Sequence, residues 1–364
     1  MNEFSHKVSL VRDLAARYDL EAILLQGASN FAWITCGASG FINIATSRAE
    51  ASSLLITANR QILITNNIEA PRLEKEEALA AQGWEFQVGP WYQSGETLAR
   101  MTGGLRIGSD SPLPGALDLA DQFPRLRANL TPEEGERFRS LGRLCAQAIE
   151  SAVSAVRPGQ DEYTIAGLLA GAAEGLGMQA TVKLVATDER IFHFRHPLPT
   201  GKVLERYAML VLCGRQHGLV GSVTRFVHFG RLPEEIRRKA EAVARVDAAM
   251  IAATRPGRSL GEVFECAMEA YAQQGYPDEW KLHHQGGPAG YEPREFVATP
   301  DTTDRVWLGQ VYAWNPSITG TKSEDTILIG ESGNEILTRI PGWPALTVEV
   351  DGTAFERPAI LEIT

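Results

Sequence analysis

Val156-Arg157-Pro158-Gly159, followed by Asp161-Glu162-Tyr163-Thr164-Ile165-Ala166, returns 98 residues later as Thr254-Arg255-Pro256-Gly257, followed by Ser259-Leu260-Gly261-Glu262-Val263-Phe264. Each copy ends a long helical pattern with Arg-Pro-Gly, opens a capped second helix and leads into a β-rich segment. Arg-Pro-Gly alone is only a helix stop. Two copies in the same order of elements predict a pseudo-twofold α/β domain, with helices on one face of a curved antiparallel sheet and a site drawing residues from both halves.

Upstream of the first copy, Thr131-Pro132-Glu133-Glu134 reads as a helix start, with an N-cap threonine, proline at the first helical position and acids in the first turn. The stretch before it, with Pro112, Pro114 and Pro124, reads as a junction. The expected domains are therefore 1–128 and 129–364. Within the first, residues 6–19 read as an amphipathic helix, Ala22-Ile23-Leu24-Leu25 as a buried strand, 53–56 and 61–65 as further strands, and 72–77 as part of a charged helix.

The 364 residues carry 35 basic and 45 acidic side chains, a formal charge of −10 that argues against nucleic acid or an anionic membrane as partner. No secretory signal is visible at the N-terminus, and apolar runs such as 207–214 are strand-sized. Cys36, Cys145, Cys213 and Cys266 are widely spaced, which fits reduced thiols and a cytoplasmic home better than a disulfide frame or a zinc clip. Small-molecule chemistry becomes the expectation. Five of the seven histidines, His193, His196, His217, His283 and His284, fall within residues 191–217 and 282–295 of the segments after the two helix pairs, suggesting a polar site.

The segment Ser323-Glu324-Asp325-Thr326-Ile327-Leu328-Ile329, with Gly333-Asn334-Glu335-Ile336-Leu337-Thr338 after it, resembles the C-terminal signature of the superfamily of Xaa-Pro aminopeptidases, prolidases and creatinase. Asn30-Phe31-Ala32-Trp33-Ile34-Thr35 is similar to a segment of that superfamily's N-terminal domain. The resemblance covers the whole chain. It implies a ribonuclease-H-like N-terminal domain, a C-terminal "pita-bread" domain and a homodimer.

The superfamily's peptidases hold two metal ions with two Asp, one His and two Glu. By resemblance those positions fall here on Leu212, Ser222, Gly287, Asn315 and Glu324, and only Glu324 is a ligand of the expected kind. Leu212 and Gly287 offer no side-chain donor and Ser222 and Asn315 are neutral and weak, so no metal and no cofactor are expected; a weak mononuclear site at Ser222, Asn315 and Glu324 is the disfavoured alternative. Creatinase, a metal-free member, suggests a catalytic set of His196 as general acid/base with Glu324 and Glu295 orienting a cationic or amide-bearing substrate. His193, His284, Arg294, Asn315 and Lys322 are the candidate substrate contacts, with Arg294 or Lys322 holding a substrate carboxylate. Because His283 and His284 are adjacent, an extended backbone sends them to opposite faces, and His284 is the one expected in the site. Cys213 reads as a core thiol, and Glu324 has a bland alternative as half of a structural ion pair. Three functions follow: a metal-independent hydrolase of a small C–N substrate such as an amide, amidine or amino-acid derivative; an inactive homologue binding a peptide or metabolite; and a metallopeptidase with its ligands elsewhere.

Overall fold

Gly159 and Gly257, the glycines of the two Arg-Pro-Gly stops, sit at φ of +90° and +91°, a left-handed conformation that favours glycine. Their surroundings match as well. The Gly159 N–H donates to the Leu204 carbonyl and the Gly257 N–H to the Val306 carbonyl, each at 2.9 Å. One residue pair further on, Asp161 bridges Val203 and Ser259 bridges Arg305. Asp161 and Ser259 then cap the helices Glu162–Gly175 and Leu260–Gln273. The internal echo is thus a repeat of structure as well as of letters.

This computed structural model describes residues 2–49 and 51–364. It divides into two units, Met1–Arg127 and Ala128–Thr364. The first holds a six-stranded mixed sheet in which Ala22–Leu25 pairs antiparallel with Ser52–Thr57 and parallel with Ile107–Ser109. Its first helix, Glu3–Arg17, starts before the amphipathic stretch read from sequence because the Asn2 side chain accepts from the Ser5 N–H at 2.8 Å. The Asn30 to Trp33 segment forms the helix Ala28–Ile34 and is structural: Asn30 Nδ2 donates to Asp110 at 2.8 Å, and Trp33 is buried.

The second unit is the pita-bread arrangement. Its first half pairs Gln179–Thr187, Tyr207–Gln216 and Leu219–Phe229 antiparallel, with Leu361–Ile363 added in parallel to the last. The second half has Gly286–Ala289, Val311–Trp314, Asp325–Gly330 and Gly333–Ile336. The helices Pro132–Ala155 and Glu162–Gly175 pack on the first sheet, while Glu234–Ala253 and Leu260–Gln273 bury Val246, Met250, Val263 and Phe264 against Tyr312, Trp314 and Ile327 of the second. Threonine stitches the seam between the sheets: Thr326 Oγ1 accepts from the Ser222 N–H at 2.8 Å and donates to the Ser222 carbonyl at 2.9 Å. The expected Thr131 cap is present as a reciprocal capping box with Glu134. No helix among the described residues is long and apolar enough to cross a membrane.

Around this seam Glu324 and its neighbours alternate. Strand geometry sends successive side chains to opposite faces, so Glu324 points one way and Asp325 the other. Asp325 receives Arg225 at 2.8 Å and Arg357 at 2.7 Å, and Arg357 also pairs with Asp247. All four are buried, and Ser323 completes the group with a hydrogen bond to Asp247. This network fixes the strand from behind.

Candidate functional site

Glu324 is buried and holds three partners. Thr224 Oγ1 donates to Oε2 at 2.5 Å, Lys322 Nζ lies 2.7 Å from the same oxygen, and Arg294 donates to Oε1 at 2.9 Å. Both cations are themselves buried. Burial alone pushes the Glu324 carboxyl upward, but Lys322 and Arg294 outweigh it and hold it well below the usual carboxylate range. Arg294 donates further to Ser222 Oγ at 3.1 Å and to the Pro293 carbonyl, while its Nε is buried with no partner among the described residues.

The hairpin register revises one position read from the sequence. Cys213 pairs directly with Ser222, whereas Leu212 pairs with Val223 and turns to the other face. The side chain standing beside Ser222 is therefore Cys213, with its sulfur 3.3 Å from Ser222 Oγ, and not Leu212. Burial, then the charge of Glu324, pushes the Cys213 thiol up, so it remains a protonated thiol beside the site. Thr224 was missed; its place two residues from Ser222 on the same strand face was the signal available for it.

Three histidines gather beside this charged group. One ring nitrogen from each of His196, His283 and His284 lies within 4.8 Å of the others, and the His196 and His283 Nε2 atoms are 3.0 Å apart. Sequence reasoning placed only one of the adjacent pair here, and the structure corrects it. His283 sits at a bend after the 3-10 turn Glu279–Leu282 and neither histidine belongs to the paired strand Gly286–Ala289, so strand alternation does not hold, and the two rings lie 4.5 Å apart. Two contacts hold the loops in place. Arg195 pairs with Glu279 at 2.5 Å and reaches Thr319, tying the His196 loop to the turn before His283. Gln285, fully buried and bonded to Tyr271, donates to the His283 carbonyl at 2.6 Å. Burial, reinforced by Lys322, brings His283 down to about 2; burial and Arg294 bring His284 down to about 4. His196, exposed, is lowered by partial burial and Lys322. All three imidazoles are neutral near pH 7.

The remaining candidates fall as follows. Asn315 is buried with its backbone N–H on the Gln285 carbonyl and its Oδ1 without a partner among the described residues. Glu295 Oε1 accepts from the Tyr291 N–H at 2.7 Å and lies against Gly290, so it shapes the loop that presents Arg294. His193 is exposed at the end of the short helix Arg190–His193, its ring 6.1 Å from that of Phe194.

Residues 136–331, more than half of the chain, match metallopeptidase family M24, and the chain belongs to that family. Its fold is that of an Xaa-Pro dipeptidase from Bacillus anthracis, with a TM-score of 0.81 at 17% identity over 99% of this chain and 100% of that one. A prolidase from Pyrococcus horikoshii OT3 superposes with a TM-score of 0.77 at 20% identity, over 92% and 98% of the two chains. Curated relatives include an agropine synthesis cyclase of Rhizobium rhizogenes, 28% identical over 39% of each chain. Another is an Xaa-Pro dipeptidase of Pyrococcus furiosus, 26% identical over 60% of this chain and 65% of that one. The alignments thus span 39% and 65% of these two relatives.

A metallopeptidase family implies bound divalent cations, and the residues here do not fit a carboxylate-bridged pair. Cys213, Ser222, Gly287 and Asn315 contribute no carboxylate, and Glu324 is already engaged by two cations. Gly287 is closed as well as empty: a Cβ there would lie 2.3 Å from the Phe296 carbonyl oxygen. Gly287→Ala should therefore cost about 1–3 kcal/mol in denaturant unfolding, and Gly287→His more, without creating metal affinity. A neutral effect of Gly287→Ala would show that the backbone at Phe296 yields freely.

Proposed function

We propose that this chain is a metal-independent, creatinase-like hydrolase of a small C–N substrate that carries a carboxylate, such as an amide, an amidine or an amino-acid derivative. One observation carries the reading: Arg294 and Lys322 clasp Glu324 at the place where the family's metal-binding glutamate stands. With one carboxylate between two cations the site is net positive. An anionic substrate group is favoured there, and the unpartnered Nε of Arg294 offers it a donor.

In this reading His196 is the proton carrier. Its Nε2 and that of His283 share one hydrogen; with that hydrogen on His196, the Nδ1 lone pair of His196 takes a proton from water as the oxygen attacks the substrate carbon. The same proton then passes to the departing nitrogen as the C–N bond breaks. Glu324 serves as a fixed anion that orders Arg294 and Lys322, because a carboxylate held so far down is a poor base at neutral pH. Asn315 Oδ1 supplies an acceptor for a substrate N–H. His284 lies against the substrate side, while Glu295 acts through the loop and His193 stays peripheral. The relatives, a cyclase among dipeptidases, support a family scaffold used for more than one reaction. We further take the protein to be a cytoplasmic homodimer acting on a small molecule or short peptide; its four cysteines are free.

The test is a thermal-shift panel of guanidino acids, N-acyl amino acids and Xaa-Pro dipeptides, with each stabilising compound then followed for hydrolysis in excess chelator. Turnover that persists in chelator and vanishes when the substrate carboxylate is esterified is expected. Activity lost on chelation and restored by manganese would return the protein to the metallopeptidases. Tight binding with no turnover would make it a binding module.

A further inference from the structure

The three histidines lie outside the five positions that correspond to the family's cation pair, and they form a donor set of their own. We propose that His196, His283 and His284 bind one zinc ion, and that zinc held there stops the reaction instead of driving it.

Three imidazole nitrogens are the ligand set of an open zinc site, and around a tetrahedral ion at about 2.0–2.1 Å they stand roughly 3.4 Å apart. Here the closest pair is at 3.0 Å and all three lie within 4.8 Å, so closing on an ion takes a shift of about an ångström. His196 can make that shift, being exposed and carried on a loop. The lone pairs exist already. Two Nε2 atoms 3.0 Å apart accommodate only one hydrogen between them, which leaves at least one bare nitrogen. The Nδ1 atoms of His283 and His284 are buried with no partner among the described residues, so neither ring is committed elsewhere there, in contrast to Glu324. Imidazole donors favour zinc, copper and nickel over manganese and magnesium, which prefer oxygen.

Two features make the capture reversible. Tight zinc sites pass the second ring N–H to a carboxylate or carbonyl, which the His283 and His284 rings lack among the described residues. Lys322 and Arg294 also repel a cation, with Glu324 offsetting part of that charge. Once zinc holds the His196 lone pair, that ring cannot accept a proton. This inhibitory part rests on the role proposed for His196 above; the binding part does not.

Full-length protein stripped with chelator would be dialysed against zinc chloride and against manganese chloride, and bound metal measured. One zinc and no manganese per chain are expected. His283→Ala and His284→Ala should each weaken zinc at least tenfold, while Ser222→Ala and Asn315→Ala should not, with metal-free thermal unfolding confirming that each variant folds. Cobalt-loaded wild type should show the strong visible absorption of four-coordinate cobalt; weak six-coordinate bands would overturn the site without any variant. Failure to retain zinc, retention by both histidine variants, or loss in Asn315→Ala would also overturn it. If zinc binds but chelator-resistant turnover of a substrate found above is undiminished, the inhibitory half falls, and with it His196 as the proton carrier.

Discussion

Glu324→Gln should destabilise the second unit by about 3–5 kcal/mol and lower its melting temperature by roughly 10 °C. The substitution keeps the shape and removes the charge. Lys322 and Arg294 are then left buried side by side, each at no more than 8% exposure, with no anion between them. Stranding a buried charge costs far more than losing an exposed ion pair, for which a few tenths of a kcal/mol is usual. Lys322→Met in the same background should recover part of the loss, since it removes one of the two stranded cations. A melting temperature unchanged by Glu324→Gln would mean that water reaches the clasp and that the electrostatic argument for an anionic substrate fails with it.

His196→Ala should lower turnover by about 10²–10⁴-fold while leaving stability nearly unchanged, because its ring is exposed and its removal strands no charge. The pH profile of kcat/KM supplies a second readout. Burial and Lys322 depress the His196 imidazole, so its neutral form persists into mildly acid solution. As a base it is lost only as pH falls through its folded value. The acid limb of the wild-type profile should therefore lie below the ordinary histidine value of about 6.5 and disappear in His196→Ala. A variant that melts normally and turns over at the wild-type rate would remove His196 from the chemistry.

Much of the fold was legible because it is written in local punctuation. Arg157-Pro158-Gly159 and Arg255-Pro256-Gly257 ended helices where the letters placed them, and Thr131 capped the helix that follows it. The site was harder to read, for a physical reason in each case. Strand register decides which side chains meet, and a hairpin that places Cys213 opposite Ser222 cannot be deduced from the spacing of Leu212 and Ser222. The adjacent His283 and His284 escaped the alternation rule because they lie outside the paired strand, on a segment whose path is set by Arg195, Glu279 and Gln285 from distant parts of the chain. Asn315 is visible as a neutral residue in sequence, but its uncommitted oxygen appears only once the neighbouring backbone is in place.

The alternation at Ser323-Glu324-Asp325 has an evolutionary consequence. Asp325 and Ser323 belong to the interior network with Arg225, Asp247 and Arg357, so selection for folding alone preserves them. Glu324, the carboxylate paired with both Lys322 and Arg294, is retained on the same ground. The stretch that most plainly announces ancestry can therefore outlive the ancestral chemistry, and kinship drawn from it carries no guarantee of inherited activity.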